Sequence, residues 1–297
     1  MKECMKKTWT ENIKLSLLSL LLLAAVVSPS IATAQVDGPV DIQTEALSHH
    51  EVSAEDLQFL SQLRRVLHDG ESALRLMRDY VATPRQEIEK ATYEMLMTAI
   101  DPERRYADPQ DFISVEENQW GAILYQYSAG EDCGGEPMYE VVNRELRDSL
   151  PDSEETVLWT QKMRFALSKL PRYEGLSFRG TRLSEERIAN YYRIGELAKD
   201  AAFISTSLSL DVGFRFAKHS AVYTEPESTD ESTDGKVGLI MVILGKTGRP
   251  ISYFANTYSH EQEILFANGT QMVVEAKSNI FWDPQFQRTQ IIILKEI

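Results

Sequence analysis

The stretch SHEQEILFANGTQMVVEAK, residues 259–277, sets Glu261 and Glu263 two positions apart ahead of an apolar run. In an extended chain side chains repeat every second residue, so the spacing predicts both acids on one face of a strand. Like charges that close raise each other's proton affinity and cost stability, and a positioned carboxylate pair is a common tool for proton and cation chemistry. Two further stretches carry chemistry of their own. In LSFRGTRL, Arg179 stands inside an apolar strand pattern. A guanidinium there needs an anion, either an internal carboxylate or a phosphate or carboxylate of a ligand gripped by the fork. In FISTSLSLDVGFRFA, Ser205, Thr206 and Ser207 close an apolar strand. Hydroxyls in that position can cap a helix, bond a neighbouring strand or orient a nearby carboxylate.

Other chemistries lack their residues. The sequence has no G-x-S-x-G nucleophile elbow, and Cys133 has no evident His companion. The Gly-rich AGEDCGGEP lacks a Lys-Ser/Thr ending and a preceding strand, so it reads as a turn and not as a phosphate cradle. His49, His50, His68, His219 and His260 show no metal-ligand spacing, and no metal is expected.

The elements that must position these residues follow from pattern. Lys2, Lys6, Lys7 and Lys14, an apolar run LSLLSLLLLAAVV and a small-residue ending predict a signal peptide over residues 1–34, cut after Ala34, and hence a secreted protein without a membrane span in the mature chain. Of the 297 residues, 43% are hydrophobic and 26% charged, which is ordinary globular material. Removing residues 1–34 leaves 27 basic and 43 acidic residues, a formal charge of −16, which disfavours nucleic acid and anionic lipid as partners. The lone Cys133 of the mature chain excludes an internal disulfide there. Residues 35–115 read as an N-terminal helical region: Leu57, Leu60, Leu63, Leu67, Leu74 and Met77 recur at helical steps behind Ser53 and Asp56, which resemble a capping box. A second start is expected at Thr83 and Pro84. Helices follow at about 115–127, 138–150 and 154–170, then strands from Pro171 onward: GLSFRGTR, AFISTSL, GLIMVIL, PISYFA, EILFA, QMVVEA and TQIIILKEI. A helix over 184–197 and a shorter one after Asp211 interrupt them. TEPESTDESTDGK, 224–236, reads as a disordered acidic insertion. Helices first and strands later predict an α+β fold.

Arg179 on one strand, Ser-Thr-Ser about 26 residues on and Glu-x-Glu some 56 beyond that resemble the arginine–serine–glutamate class of mono-ADP-ribosyltransferases, in its bacterial exotoxin and exoenzyme branch. The resemblance covers residues 116–297. It implies two packed, mainly antiparallel β-sheets with flanking helices, and a cleft that takes NAD as co-substrate. It implies that Arg179 contacts the NAD phosphates, that Ser205 steadies the catalytic Glu263, and that Thr206 and Ser207 brace the cleft. Glu263 then stabilises the positive charge that develops as the nicotinamide–ribose bond breaks, and Glu261 receives the acceptor, an arginine of a host protein. Phe214 and Arg215, with Phe216, are expected to help pack the nicotinamide or its phosphate, and Tyr258 to touch the protein substrate. Phe178 stands where many relatives have a tyrosine. Two other readings remain open: an NAD glycohydrolase using the same cleft, or a non-catalytic exported binding module.

Overall fold

A computed structural model describes residues 52–82, 119–128, 137–147, 154–170, 172–219, 235–252 and 261–297. The expected signal peptide, the helix start at Thr83, Cys133, most of the acidic insertion and the aromatics Tyr253, Phe254 and Tyr258 lie outside them. Among the described residues five helices come first: α1 (Ala54–Val66), α2 (Gly70–Ala82), α3 (Gln119–Ser128), α4 (Met138–Arg147) and α5 (Glu154–Ser168). There follow β1 (Tyr173–Leu183), α6 (Glu185–Tyr191), β2 (Ile204–Ser207), α7 (Leu210–His219), β3 (Val237–Pro250), β4 (Glu263–Phe266), β5 (Met272–Lys277), β6 (Phe281–Asp283) and β7 (Gln287–Glu296).

β1 and β3 form the long antiparallel pair, in register from Gly175 opposite Gly245 to Leu183 opposite Val237, with a shift between Gly175 and Tyr173, which faces Gly248. β7 lies parallel to β3, and β5 and β6 run antiparallel to β7. β2 and β4 form a narrow antiparallel ribbon that meets β1 at Phe178 and Ser207 and meets the end of β3 at Arg249 and Pro250. The ladder β1–β2–β4–β3 therefore closes on itself, with a broad layer and a narrow one joined at their edges. The expected α+β class with mainly antiparallel sheets is what the chain adopts.

The continuous apolar run of β3 is explained by burial on both faces, since alternate residues enter different cores. Leu239, Met241 and Ile243 pack with Leu183, Ile264, Phe266, Ile292 and Leu294. Ile240 and Val242 pack on the other side with Leu176, Phe178, Ile291 and Ile293, under Leu60, Leu63, Leu67, Leu74 and Met77 of the N-terminal hairpin. Each such side chain contributes about 1.5–3 kcal/mol, so α1 and α2 are bound to the sheet by apolar area. A third core, with Leu124, Tyr127, Val142, Trp159 and Met163, sets α3–α5 against Phe203 and Leu265 at the narrow ribbon.

Boundaries differ from expectation in two places. The stripe expected from Leu57 to Met77 is broken at Leu67–Asp69 into two helices, and Leu57 is exposed. Gly70 opens α2 because Phe281 packs where its Cβ would stand. α6 stops at Tyr191, six residues short of the expectation, and the chain after it turns at Gly195, whose φ is +82°. Ser53 and Ser184 cap α1 and α6, accepting from the backbone N–H of Asp56 at 3.0 Å and of Arg187 at 3.2 Å.

Candidate active site

The site is built where β1, β2 and β4 meet. α7 sits tightly on β1: a Cβ at Gly180 would lie 1.8 Å from the Gly213 carbonyl oxygen, so the helix that follows Ser-Thr-Ser is pressed against the strand bearing Arg179. Arg179 is half-buried, and its Nη1 donates to the Ser205 carbonyl at 2.7 Å, which locks the first strand to the second. On β2 the side chains alternate. Thr206 turns away and donates to the Ile264 carbonyl at 2.8 Å, while Ser205 and Ser207 share the other face. Ser207 donates to the Glu261 carbonyl at 2.5 Å and accepts from the Ser209 N–H at 2.8 Å. Both hydroxyls that follow Ser205 are thus braces.

Glu263 opens β4 and is held through its backbone, with its N–H donating to Ser252 Oγ and its carbonyl accepting from the Ile251 N–H at 3.0 Å. The Ser205 hydroxyl hydrogen-bonds its carboxylate, a diagonal reach across the β2–β4 ladder. Burial pushes the Glu263 carboxyl up to about 7; Glu261 nearby adds to the rise, while the Ser205 hydrogen bond and Arg179 act against it. Ser205, Arg179 and Glu261 therefore all act on one carboxyl group.

The expectation that Glu261 and Glu263 share a strand face is overturned. Gln262 has φ +49°, so the chain enters β4 through a left-handed residue, and Glu261 lies before the strand. The two acids are neighbours by that turn and not by β alternation. Glu261 is paired with Arg215 of α7, whose Nη2 donates to Oε1 at 2.5 Å. Phe214 is not brought to the cleft: its ring packs 5.3 Å from that of Phe286, in the core under α1 and α2. The exposed ring on this helix is Phe216, with the Arg215 cation 5.4 Å from its centroid. Tyr258 lies outside the described residues.

Sequence reasoning missed half of the cleft. Arg147 at the end of α4, Asp200 after α6, and Arg187, Tyr191 and Tyr192 line a cavity together with Arg179. Arg147 Nε donates to Asp200 Oδ1 at 3.1 Å, with both side chains largely buried. Burial opposes the charge on Asp200, but Arg147 and Arg179 outweigh it and hold the carboxyl below the usual carboxylate range. Burial and the like charge of Arg147 lower Arg179, against the pull of Asp200. Three guanidiniums against one carboxylate give this cavity an excess of positive charge on a chain of net charge −14. Such a cavity fits a diphosphate, which also brings paired anions. Beside it, Tyr127 accepts from Asn143 Nδ2 at 2.9 Å, and Asn143 Oδ1 accepts from the Phe203 N–H at 3.0 Å, which pegs the start of β2 to α3 and α4. Among the described residues no group of three His, Cys, Asp or Glu side chains converges as a metal site would require.

A strand-borne arginine, a hydroxyl run on the next strand and a Glu-x-Glu entering a third, all meeting at one carboxyl group, are similar to the pattern of the arginine–serine–glutamate class of mono-ADP-ribosyltransferases. The curated relatives to which this chain is similar are named as NAD–arginine ADP-ribosyltransferases. A protein of Mycobacterium avium strain 104, assigned as the NAD(+)–arginine ADP-ribosyltransferase Mav, is 34% identical over 159 residues, 54% of this chain and 16% of that protein. The NAD(+)–protein-arginine ADP-ribosyltransferase Tre1 of Pseudomonas putida strain GB-1 is 29% identical over 170 residues, 57% of this chain and 28% of its own length. The chain thus spans well under a third of the length of these curated relatives. Among solved structures, ADP-ribosyltransferase Vis of Vibrio splendidus aligns with a TM-score of 0.46 and 20% identity, over 71% of this chain and 85% of that one. No family model matches the sequence.

Proposed function

We propose that the chain is a secreted mono-ADP-ribosyltransferase that moves ADP-ribose from NAD to an arginine of a host protein, releases nicotinamide, and acts as a toxin. One observation carries the reading: strands far apart in sequence meet so that Arg179 donates to the Ser205 carbonyl, Ser205 hydrogen-bonds the Glu263 carboxylate on the neighbouring strand, and Glu261 lies beside it. In this reading Arg179, with Arg147 beside it, receives the diphosphate of NAD. The Glu263 carboxylate, fixed by Ser205, faces the nicotinamide ribose and lowers the energy of the positive charge that grows at C1′ as the glycosidic bond breaks. Glu261 holds the incoming guanidinium and assists the loss of its proton. Support for arginine as acceptor comes from the acid at position 261 and from the names of the relatives.

Secretion rests on the N-terminal pattern ending at Ala34. Among the described residues no helix is long and apolar enough to cross a membrane. The test is incubation of the purified protein with labelled NAD and agmatine, a small guanidinium compound. Nicotinamide release together with labelled agmatine is the expected result, and Glu263→Ala abolishes both. Nicotinamide release without agmatine labelling assigns the cleft to NAD hydrolysis, and NAD binding without turnover assigns the chain to a binding module.

A further inference from the structure

Neither donor binding nor the core accounts for the outer face of α5. Its inner residues Trp159, Met163 and Leu167 fill the third core with Leu265, which by strand alternation shares a face of β4 with Glu263. Arg164 ties α5 to the turn after β4, its Nε donating to Asn268 Oδ1 at 2.7 Å. The helix is thus fixed to the strand that carries Glu263. Outward it shows Val157, Leu158 and Phe165, three of the nine large apolar side chains left exposed among the described residues. Leu158 and Phe165, seven residues apart, fall on one line along the helix. Lys162 and, just past the helix end, Lys169 run beside that line at the same spacing.

Charge decides what fits this face. From Thr156 to Arg172 the chain carries Lys162, Arg164, Lys169 and Arg172 and no Asp or Glu, in a protein of net charge −14. Among the described residues no carboxylate pairs with any of the four. Two of them are held against rings: Lys162 Nζ lies 5.2 Å from the Trp159 centroid, and Lys169 Nζ 4.8 Å from that of Phe165. The ammonium groups therefore stand beside the apolar line with little freedom left to lose on binding. An apolar line edged by cations is complementary to a surface on which carboxylates surround apolar side chains. A bilayer is flat and broad and would meet the acidic remainder of this surface together with the patch, whereas a protein can meet the patch alone. On the reading that the acceptor is an arginine of a protein, we propose that the outer face of α5 docks that acceptor protein through an acidic patch with an apolar centre. Docking there holds the partner on the helix fixed to β4 while its arginine enters at Glu261. Agmatine, which has no such patch, gains nothing from it.

The experiment follows transfer from labelled NAD to agmatine and, separately, to the proteins of soluble bacterial and animal cell extracts. It compares the full chain with a Lys162→Glu/Lys169→Glu double variant and with Phe165→Ser. Both variants should keep agmatine transfer within about twofold of wild type, which also shows that they fold, and should lose at least about tenfold in protein labelling. Poly-L-glutamate should suppress protein labelling by wild type, spare agmatine transfer, and have no effect on the double variant. Protein labelling that falls no further than agmatine transfer overturns the inference and leaves the functional reading standing. So does labelled agmatine with no labelled protein in either extract. Phosphatidylserine vesicles that retain wild type and release the variants assign the face to a membrane, and a wild-type dimer that the variants lose in light scattering assigns it to a second copy; each overturns the inference. Absence of transfer to agmatine by wild type sinks the functional reading itself.

Discussion

Replacing Ser205 by Ala gives a separable test of how the site sets the charge of Glu263. The substitution removes the hydroxyl that hydrogen-bonds the carboxylate and leaves the backbone carbonyl that accepts from Arg179. A hydrogen bond to an ionised group contributes about 1.5–3 kcal/mol, and 1.36 kcal/mol is one pKa unit, so the Glu263 carboxyl should rise by roughly 1–2 units. It starts at about 7, where half of the molecules are ionised at neutral pH. Raised to about 8–9, it is ionised in roughly a tenth to a hundredth of them at pH 7, a loss of about 5- to 50-fold in kcat/KM. The assay is nicotinamide release as a function of pH at low NAD, because kcat/KM reports the free enzyme. Wild type should lose activity as pH falls through about 7, and Ser205→Ala should lose it at higher pH yet approach wild type near pH 9. A deficit of the same size at every pH, with the inflection unmoved, refutes the reasoning and makes Ser205 a matter of geometry alone.

Further outcomes follow from the same contacts. Glu261→Gln removes the like charge next to Glu263, so the acid limb of nicotinamide release moves to lower pH while transfer to agmatine falls at least tenfold; the two readouts come from one titration series. Asp200→Asn leaves Arg147 and Arg179 uncompensated in the cavity and should cost about 3–5 kcal/mol of stability, with ADP-ribose or pyrophosphate raising Tm more in the variant than in wild type. Since Glu263 is raised from 4.5 to about 7, its charge opposes folding: the penalty is absent below the unfolded value and complete above the folded one. Glu263→Gln should therefore be the more stable protein at pH 8, by at most about 3 kcal/mol, and should lose that advantage towards pH 4.5 in chemical denaturation. Gly180→Ala forces α7 off β1 and should abolish activity together with a drop in Tm, whereas Gly213→Ala, whose Cβ meets Phe178 Cβ at 3.3 Å, should be mild.

What could be read from the sequence divides along a physical line. Strands show up as runs because burial on both faces selects β-branched and apolar residues, as in GLIMVIL; the strand order, and the closure of β1–β2–β4–β3, depend on which runs meet and leave no such trace. Arg179, Ser205 and Glu263 stood out because each breaks an apolar pattern, and a polar group inside such a pattern needs a reason. Arg147 and Asp200 break nothing: one ends an amphipathic helix already rich in charge, the other lies in a loop, and only folding brings them within 3.1 Å. Glu-x-Glu shows the limit of periodicity most plainly. The spacing rule assumed an extended chain, and Gln262 at φ +49° breaks that assumption. The electrostatic consequence survived, because proton affinity depends on the distance between charges and not on the path the backbone takes between them. The same holds for Arg215, whose helix position suggests a solvated face until α7 is pressed onto β1 and carries its guanidinium to Glu261. The close approach of Gly180 to the Gly213 carbonyl, a contact with no chemistry of its own, thus helps decide which cation meets the Glu261 carboxylate.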